Sequence, residues 1–164
     1  MIPIVSIVGR SNTGKTTLIE GIIPELKKQG YRGATIKHNL HGFDVDREGK
    51  DSWRHRRAGA GTVVLAAPRS IVVFDEPDRE YDIKGIAENY IKNRDIIITE
   101  GFKGNPLPKI EVFRTALKQE LLCGPDDNLI ALAGDRPVDI GVPYFDLNDY
   151  SGIAEFIKKA FLKG

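Results

Sequence analysis

The stretch "IPIVSIVGRSNTGKTT", residues 2–17, decides the fold. Its first half is a short apolar run rich in β-branched residues, which predicts a buried strand over residues 2–8. Its second half, "GRSNTGKT", fits the pattern G-x-x-x-x-G-K-[ST]. Apolar residues then recur at helical spacing over residues 15–29. The pattern therefore lies in the strand–loop–helix setting in which it binds phosphate groups.

The chemistry of this loop explains its residue types. Glycines let the backbone curl so that several N–H groups face inward, and the helix that follows adds its positive dipole end. Lys15 supplies a mobile charge for β- and γ-phosphates, and the Thr16 hydroxyl is an oxygen ligand of the kind that Mg²⁺ prefers. We predict that a nucleotide is bound by Gly9, Arg10, Ser11, Asn12, Thr13, Gly14, Lys15, Thr16 and Thr17.

The rest of the chain alternates between apolar strands and amphipathic helices. Further strands are predicted at 31–38, 95–100 and 128–135, and helices at 15–29, 82–93 and 149–162. This alternation is typical of an α/β protein with three layers, in which a mostly parallel sheet has helices on both faces. Together with the phosphate loop it predicts the P-loop NTPase fold. A chain of 164 residues fits one nucleotide-binding domain over residues 1–164.

Three less regular segments complete the predicted fold. The runs 62–67 and 70–75 are rich in β-formers and are separated by Pro68-Arg69, which favours a hairpin. A short basic helix is predicted within 50–60, with Asp51 or Ser52 as its cap. The segment "KIEVFR", residues 109–114, alternates polar and apolar residues and predicts a more exposed strand.

Composition narrows the classes of partner. The chain has 24 basic and 23 acidic residues, so its net charge of +1 gives no general attraction to nucleic acid or to acidic membranes. Its single cysteine cannot form an intrachain disulfide. We find no apolar run of the roughly 18 residues that a membrane helix needs, and no signal-peptide pattern. We expect a cytoplasmic protein without nucleic-acid or membrane partners.

A carboxylate at the end of a neighbouring strand usually completes a phosphate-loop site. Glu100 ends the apolar strand "DIIITE" and is the candidate, either holding Mg²⁺ or acting on water. We therefore predict Lys15 and Glu100 as the residues closest to catalysis, and Thr16 and Glu100 as metal ligands. An ordinary solvated glutamate is the alternative.

A second polar region, "KHNLHGFDVDREGKDS" at residues 37–52, offers further ligands. Asp44 and Asp46 can join the metal shell through water if the loop covers the γ-phosphate. Lys37 and His38, at a predicted strand end, can approach the same ligand. A transition-metal cluster with His41 is an alternative, although the spacing matches no zinc signature. A plain polar surface loop is another.

At this point the chain resembles a known family. The segments "GRSNTGKTTLIEGIIPELKKQGYRGATIKH", "FDVDREGKDSWRHRRAGA" and "DIIITEGFKGNPLPKIEVFR" are similar, in order and spacing, to the molybdopterin-guanine dinucleotide biosynthesis protein B (MobB) family. The resemblance implies a GTP-binding adapter that uses Mg²⁺, hydrolyses GTP weakly, and assists the nucleotidyl transferase that attaches GMP to molybdopterin. It also implies a homodimer, with molybdopterin as a further candidate ligand. The family's "FDxD" element carries over to Asp44 and Asp46, and its strand-end acidic element to Glu100.

Recognition of guanine is the least specific part of the pattern. The chain lacks the N-K-x-D motif of many GTP-binding proteins, and Asp135 in "ALAGD" stands where a base-reading carboxylate is expected. Asp135 is equally compatible with a simple turn. Two other functions use the same loop. A small-molecule or nucleotide kinase would use "RHRR", residues 54–57, as a lid, although this cluster also fits a solvated helix face. A metallochaperone-type GTPase would use the histidine loop.

Overall fold

A computed structural model describes residues 1–39, 46–118 and 120–162. The chain divides into two compact units, one formed by Met1–His38 with Tyr90–Gly164 and the other by Asn39–Asn89. The single nucleotide-binding domain over residues 1–164 stays a prediction. In chain order the elements are β1 (Ile4–Val8), α1 (Lys15–Lys28), β2 (Gly33–Lys37), α2 (Asp51–Arg57), β3 (Thr62–Ala67), β4 (Ser70–Asp75), α3 (Ile83–Tyr90), β5 (Ile96–Glu100), β6 (Lys109–Phe113), β7 (Leu129–Gly134), β8 (Tyr144–Asp146) and α4 (Tyr150–Phe161).

The first unit is built on a six-stranded sheet with the order β2-β5-β1-β6-β7-β8. Every pair of neighbouring strands in it is parallel. This confirms the predicted α/β architecture. Strand β8 has only three residues and was not predicted, because it follows a Gly- and Pro-containing segment without a recognisable strand pattern. The carboxyl ends of parallel strands lie at the same edge of the sheet. At this edge, β1, β2 and β5 each end at or just before predicted site residues.

Both faces of the central strands are buried. On one face, Val5 and Ile7 of β1 join the apolar residues of α1 and α4 in the main hydrophobic core. The alternate residues of the same strand, Ile4, Ser6 and Val8, are also buried. Helices α1 and α4 pack against each other along this core. Burial on two faces explains why these strands have continuous apolar sequences rather than an alternating pattern.

The prediction of an exposed strand at 109–114 is wrong. Strand β6 lies between β1 and β7, and its alternating polar residues Lys109 and Glu111 are almost completely buried. The Lys109 ammonium donates to the carbonyl oxygens of Asn105, Leu107 and Asp127 at 2.5, 3.2 and 2.6 Å, respectively. Glu111 accepts from the backbone N–H groups of residues 122 and 123 at 2.6 and 2.9 Å. Backbone groups from the loops thus satisfy both charges.

Helices α1 and α4 match their predicted bounds to within one residue, whereas α3 and α2 differ more clearly at one end each. Helix α3 ends at Tyr90 rather than at residue 93, where Asn93 has a positive φ of 54°. In helix α2 the N-cap position is occupied by Lys50 rather than by Asp51 or Ser52, and none of the side chains that the structure describes caps it. The Ser52 hydroxyl instead donates to Asp46 at 2.8 Å. None of the helices in the described part of the chain is long and apolar enough to cross a membrane.

The second unit contains the predicted hairpin, with β3 and β4 paired antiparallel from Thr62–Asp75 to Ala67–Ser70. Its strands are largely exposed although they are apolar. Three exposed apolar side chains, which we call the hairpin patch, share one face of this sheet: Val64, Ile71 and Val73. Leu65 and Val72 are exposed on the opposite face. An apolar surface of this kind commonly marks a contact with another protein.

Candidate nucleotide-binding site

The phosphate loop joins β1 to α1, as predicted. Gly9, Asn12 and Gly14 all have positive φ angles, of 145°, 64° and 101°. A Cβ atom on Gly9 would lie 2.5 Å from the carbonyl oxygen of Val112 on the neighbouring strand. The first glycine is therefore required both by its backbone angle and by the close approach of β6.

Two hydrogen bonds within the loop hold its curl. The Lys15 ammonium donates to the Arg10 carbonyl oxygen at 2.8 Å, and the Thr13 hydroxyl donates to the same oxygen at 3.0 Å. Partial burial lowers the pKa of Lys15; the nearby Glu100 carboxylate raises it, and the Lys37 ammonium lowers it. Helix α1 begins at Lys15, and no described side chain caps its N-terminus. Its first amides are thus available to an anion.

Glu100 lies across from the loop because β5 is hydrogen-bonded to β1 in register. The Thr16 hydroxyl donates to Glu100 Oε2 at 3.0 Å. Since the hydroxyl proton points to the carboxylate, the lone pairs of the Thr16 oxygen remain free for a cation. A hydroxyl and a carboxylate are hard oxygen donors of the type that Mg²⁺ takes in nucleotide sites, where waters and phosphates supply the other ligands. The residues present fit this metal.

A cavity of about 490 Å³ opens between the loop and the strand ends. Its lining comprises Ser11, Asn12, Gly14, Lys15, Thr16, Thr17, Lys37 and Glu100. Most of the predicted loop residues therefore share one cavity with the predicted carboxylate. Gly9, Arg10 and Thr13 are not part of the lining, and they shape the loop through the contacts described above.

His38 lies beside this cavity. Its backbone N–H donates to the Glu100 carbonyl oxygen at 3.1 Å, which extends the pairing of β2 with β5. Its ring stacks on Phe102 with 4.4 Å between the centroids and 19° between the planes. The two rings follow the strand ends that carry Lys37 and Glu100. A direct contact of His38 with a nucleotide stays a prediction.

Sequence reasoning missed Arg114, which follows β6. Its Nε atom donates to the Thr13 carbonyl oxygen at 2.7 Å, and its NH2 atom lies 3.2 Å from the position that a Cβ on Gly14 would take. The guanidinium therefore lies directly against the phosphate loop on the side of β6. In the sequence, Arg114 stands out only as the last residue of the segment "PKIEVFR", which resembles the family. Nothing in that segment indicates what the arginine contacts.

Asp135 lies at the end of β7, close to the end of β6. Its carboxylate accepts from the Thr115 backbone N–H at 2.9 and 3.1 Å and from the Thr115 hydroxyl at 3.1 Å. These hydrogen bonds from Thr115 lower the pKa of Asp135, so the group is ionised at neutral pH. Each carboxylate oxygen keeps a lone pair. The arrangement fits a turn and also leaves acceptors for a base.

The acidic loop is only partly within the described residues. Asp44 and His41 lie outside them. Asp46 lies in the second unit, where it accepts from Ser52 and from Arg56 NH1 at 2.8 and 3.4 Å. Among residues 1–39, 46–118 and 120–162, no three His, Cys, Asp or Glu side chains come together to hold a metal. The roles of Asp44 and Asp46 at the metal stay predictions.

The basic cluster "RHRR" belongs to α2 of the second unit. Arg56 forms ion pairs with Asp46 and Glu76 at 3.4 and 3.0 Å and lies over the Phe74 ring. Arg57 lies over the ring of Trp53 at 5.4 Å. Two of the three arginines therefore have partners within this unit, which accounts for part of the cluster without an anionic ligand.

The sequence was also compared with known protein families and with characterised proteins. Residues 4–135 match the family described as "Molybdopterin guanine dinucleotide synthesis protein B" (MobB). The chain belongs to the MobB family. It is 39% identical over 163 residues to the "Molybdopterin-guanine dinucleotide biosynthesis adapter protein" of Escherichia coli, covering 96% of this chain and 92% of the relative. It is 37% identical over 160 residues to the protein of the same name from Haemophilus influenzae, covering 96% and 88%.

Solved structures of MobB proteins have the same fold. The crystal structure of Bacillus subtilis MobB matches with a TM-score of 0.75 and 30% identity over 99% of each chain. Another crystal structure, described as molybdopterin-guanine biosynthesis protein B, gives the same score and identity over 96% of this chain and 99% of its own. The family predicted from the sequence is thereby confirmed, as is the α/β fold.

Proposed function

We propose that this chain is a GTP-binding adapter in molybdopterin guanine dinucleotide biosynthesis. Its MobB relatives in three bacteria are named as adapter or probable adapter proteins of this pathway. The observation that carries the nucleotide part is the hydrogen bond from Thr16 to Glu100, which closes the phosphate loop onto the end of β5. This bond brings two hard oxygen donors together in the cavity that Lys15 also lines, which is an arrangement suited to a metal and phosphate groups.

The residues have separate tasks in this proposal. The loop amides and Lys15 bind the β- and γ-phosphates of GTP, and the N-terminus of α1 adds its dipole. Thr16 and Glu100 hold Mg²⁺, with Asp44 and Asp46 as candidates to reach its water shell. Asp135 accepts the two N–H donors of guanine while it keeps its bond to the Thr115 amide.

We expect hydrolysis of GTP to be slow. Among the described side chains that line the cavity, Glu100 is the one carboxylate, and it accepts from Thr16 and would also hold the metal. A carboxylate held in this way is poorly placed to activate water as well. Without a partner protein, turnover below roughly 1 s⁻¹, the lower end for dedicated enzymes, is the expected result.

The pathway role requires a partner. We propose that the chain works with the nucleotidyl transferase that attaches GMP to molybdopterin, that molybdopterin itself is a candidate ligand, and that the protein acts in the cytoplasm. A homodimer is also proposed. The hairpin patch supports the dimer. A two-stranded sheet is only marginally stable by itself, and a second copy that covered its exposed apolar side chains would remove them from water.

The test is competition of GTP and ATP for the purified chain, with and without Mg²⁺, followed with a fluorescent nucleotide. We expect GTP to bind at least about tenfold more tightly, and Lys15→Ala to abolish triphosphate binding. Lys28→Ala is the matched control, because Lys28 lies at the other end of α1 and pairs with Glu25. A preference for ATP would favour a kinase, and normal binding by Lys15→Ala would overturn the site.

A further inference from the structure

A second lysine shares the cavity with Lys15. Lys37 is the last residue of β2 and lies opposite Glu100, the last residue of β5, in the parallel register. Its ammonium is 3.2 Å from Glu100 Oε1, while the other carboxylate oxygen accepts from Thr16. The carboxylate therefore bridges a cation of β2 and the hydroxyl of the phosphate loop.

The pair is uneven in burial. The side chain of Lys37 is 61% exposed, whereas that of Glu100 is 15% exposed. Ion pairs of exposed lysines stabilise a fold only weakly, because water competes for the charge. Glu100 is thus held by its strand and by Thr16, and Lys37 can change partner at little cost.

The position of Lys37 relates to a particular part of a nucleotide. Mg²⁺ in nucleotide sites is bound together with substrate phosphates, so a triphosphate whose metal was held by Thr16 and Glu100 would have its terminal phosphate on their side of the cavity. Lys37 lines the cavity next to these two residues. A diphosphate held by the loop and Lys15 would leave this corner to solvent, and a triphosphate would bring negative charge into it.

We propose that Lys37 binds the γ-phosphate directly, exchanging Glu100 for the terminal phosphate, and so makes the site prefer triphosphate over diphosphate. This rests on the proposed GTP binding. Lys37 would then determine the specificity of the site for triphosphate over diphosphate, without a residue from a partner protein. It would also release Glu100 from its ion pair when the triphosphate arrives, so that both carboxylate oxygens serve Thr16 and the metal shell.

The experiment measures by calorimetry the dissociation constants of GDP and of a non-hydrolysable GTP analogue. Lys37→Ala should weaken the analogue by about tenfold or more, the value of a charge-assisted hydrogen bond, and GDP by less than about threefold. Lys37→Arg should restore most of the preference for triphosphate. Lys28→Ala, which removes an exposed lysine that is 69% exposed and paired with Glu25, should leave both constants unchanged.

Repeating the titrations in a chelator separates two roles for Lys37. A direct contact with the γ-phosphate keeps its effect without Mg²⁺, whereas a role exercised only through Glu100 and the metal disappears. Three results for Lys37→Ala would overturn the proposal: an equal loss of affinity for both nucleotides, a loss seen only when Mg²⁺ is present, or no loss. A wild-type protein that does not prefer triphosphate would also overturn it. Failure of the wild type to bind either guanine nucleotide would instead overturn the proposed function itself.

Discussion

The Nε atom of Arg114 donates to the carbonyl oxygen of Thr13 at 2.7 Å, across 101 residues of sequence. This hydrogen bond ties the end of β6 to the middle of the phosphate loop. Arg10 reaches in the same direction, since its Nε donates to the Glu120 carbonyl oxygen at 3.2 Å. The loop is therefore anchored on its β6 side by two arginine contacts, and on its β5 side by the bond from Thr16 to Glu100.

Removal of the Arg114 contact should loosen the loop before any ligand arrives. We expect Arg114→Ala to weaken GTP binding by about 10- to 100-fold, because a hydrogen bond from a charged donor contributes about 1.5–3 kcal/mol. Arg114→Lys should recover only part of this affinity, since lysine keeps the charge but lacks the planar fork. The measurement is a fluorescent-nucleotide titration together with hydrogen exchange of residues 9–17.

The control for Arg114 is Arg79→Ala, which removes an exposed arginine of the second unit. It should leave both the affinity and the exchange of the loop amides unchanged. Normal nucleotide affinity in Arg114→Ala would show that the loop keeps its shape without the anchor.

The phosphate loop could be predicted from the sequence, whereas the burial of β6 could not. The phosphate loop is encoded locally, because glycines, lysine and threonine act within nine residues of one another. Strand β6 was mistaken for an exposed strand because Lys109 and Glu111 alternate with apolar residues, which is the pattern of a half-solvated strand. Their partners are backbone groups, including those of Asp127 and Leu122, brought in by loops that no periodicity predicts.

The same reasoning applies to the site. Glu100 could be predicted because parallel strands place their ends at one edge. Arg114 could not, because nothing in its local sequence indicates a contact with Thr13. Outside the site, the N-terminal cap of α4 could be expected from residue type, because aspartate favours this position. The structure supplies the contact itself, in which Asp149 accepts from the Gly152 N–H at 2.9 Å.

Asp135 offers a test of base recognition. We expect Asp135→Asn to reduce the preference for GTP over ATP by about tenfold or more, because an amide cannot accept from two guanine donors as a carboxylate does. The amide oxygen can still accept from the Thr115 N–H, so the turn should persist. Competition titrations with both nucleotides measure the change.

Thr115→Val is the companion variant for Asp135. It removes the hydroxyl that donates to Asp135 at 3.1 Å and leaves the carboxylate in place. The preference for GTP should therefore survive in it. If Asp135→Asn also keeps the full preference, the guanine base is read elsewhere.

Cys123 should be chemically inert in the folded protein. Burial is the main cause that raises the pKa of its thiol to about 11, and the nearby Glu111 carboxylate adds to this effect. At pH 8 only about one thiol in a thousand is then ionised, and the thiolate is the reactive form. Alkylation by iodoacetamide at pH 8 should be at least about 100-fold slower than for free cysteine. Full reactivity in guanidinium chloride is the control, and rapid labelling of the native chain would contradict the burial of this thiol.

The hairpin patch leads to a prediction about assembly. Val64 and Ile71 are 56% and 69% exposed, a large apolar area for a surface that contacts only water. If two copies cover it, Ile71→Lys combined with Val73→Lys should convert a dimer into a monomer, because charge would be buried without a partner. Sedimentation velocity over a range of concentrations measures the state. Ile140→Lys, which alters an apolar residue of the first unit that is 39% exposed, should stay dimeric. A dimer that survives the double substitution must use another surface, and a monomeric wild type would contradict the proposed homodimer.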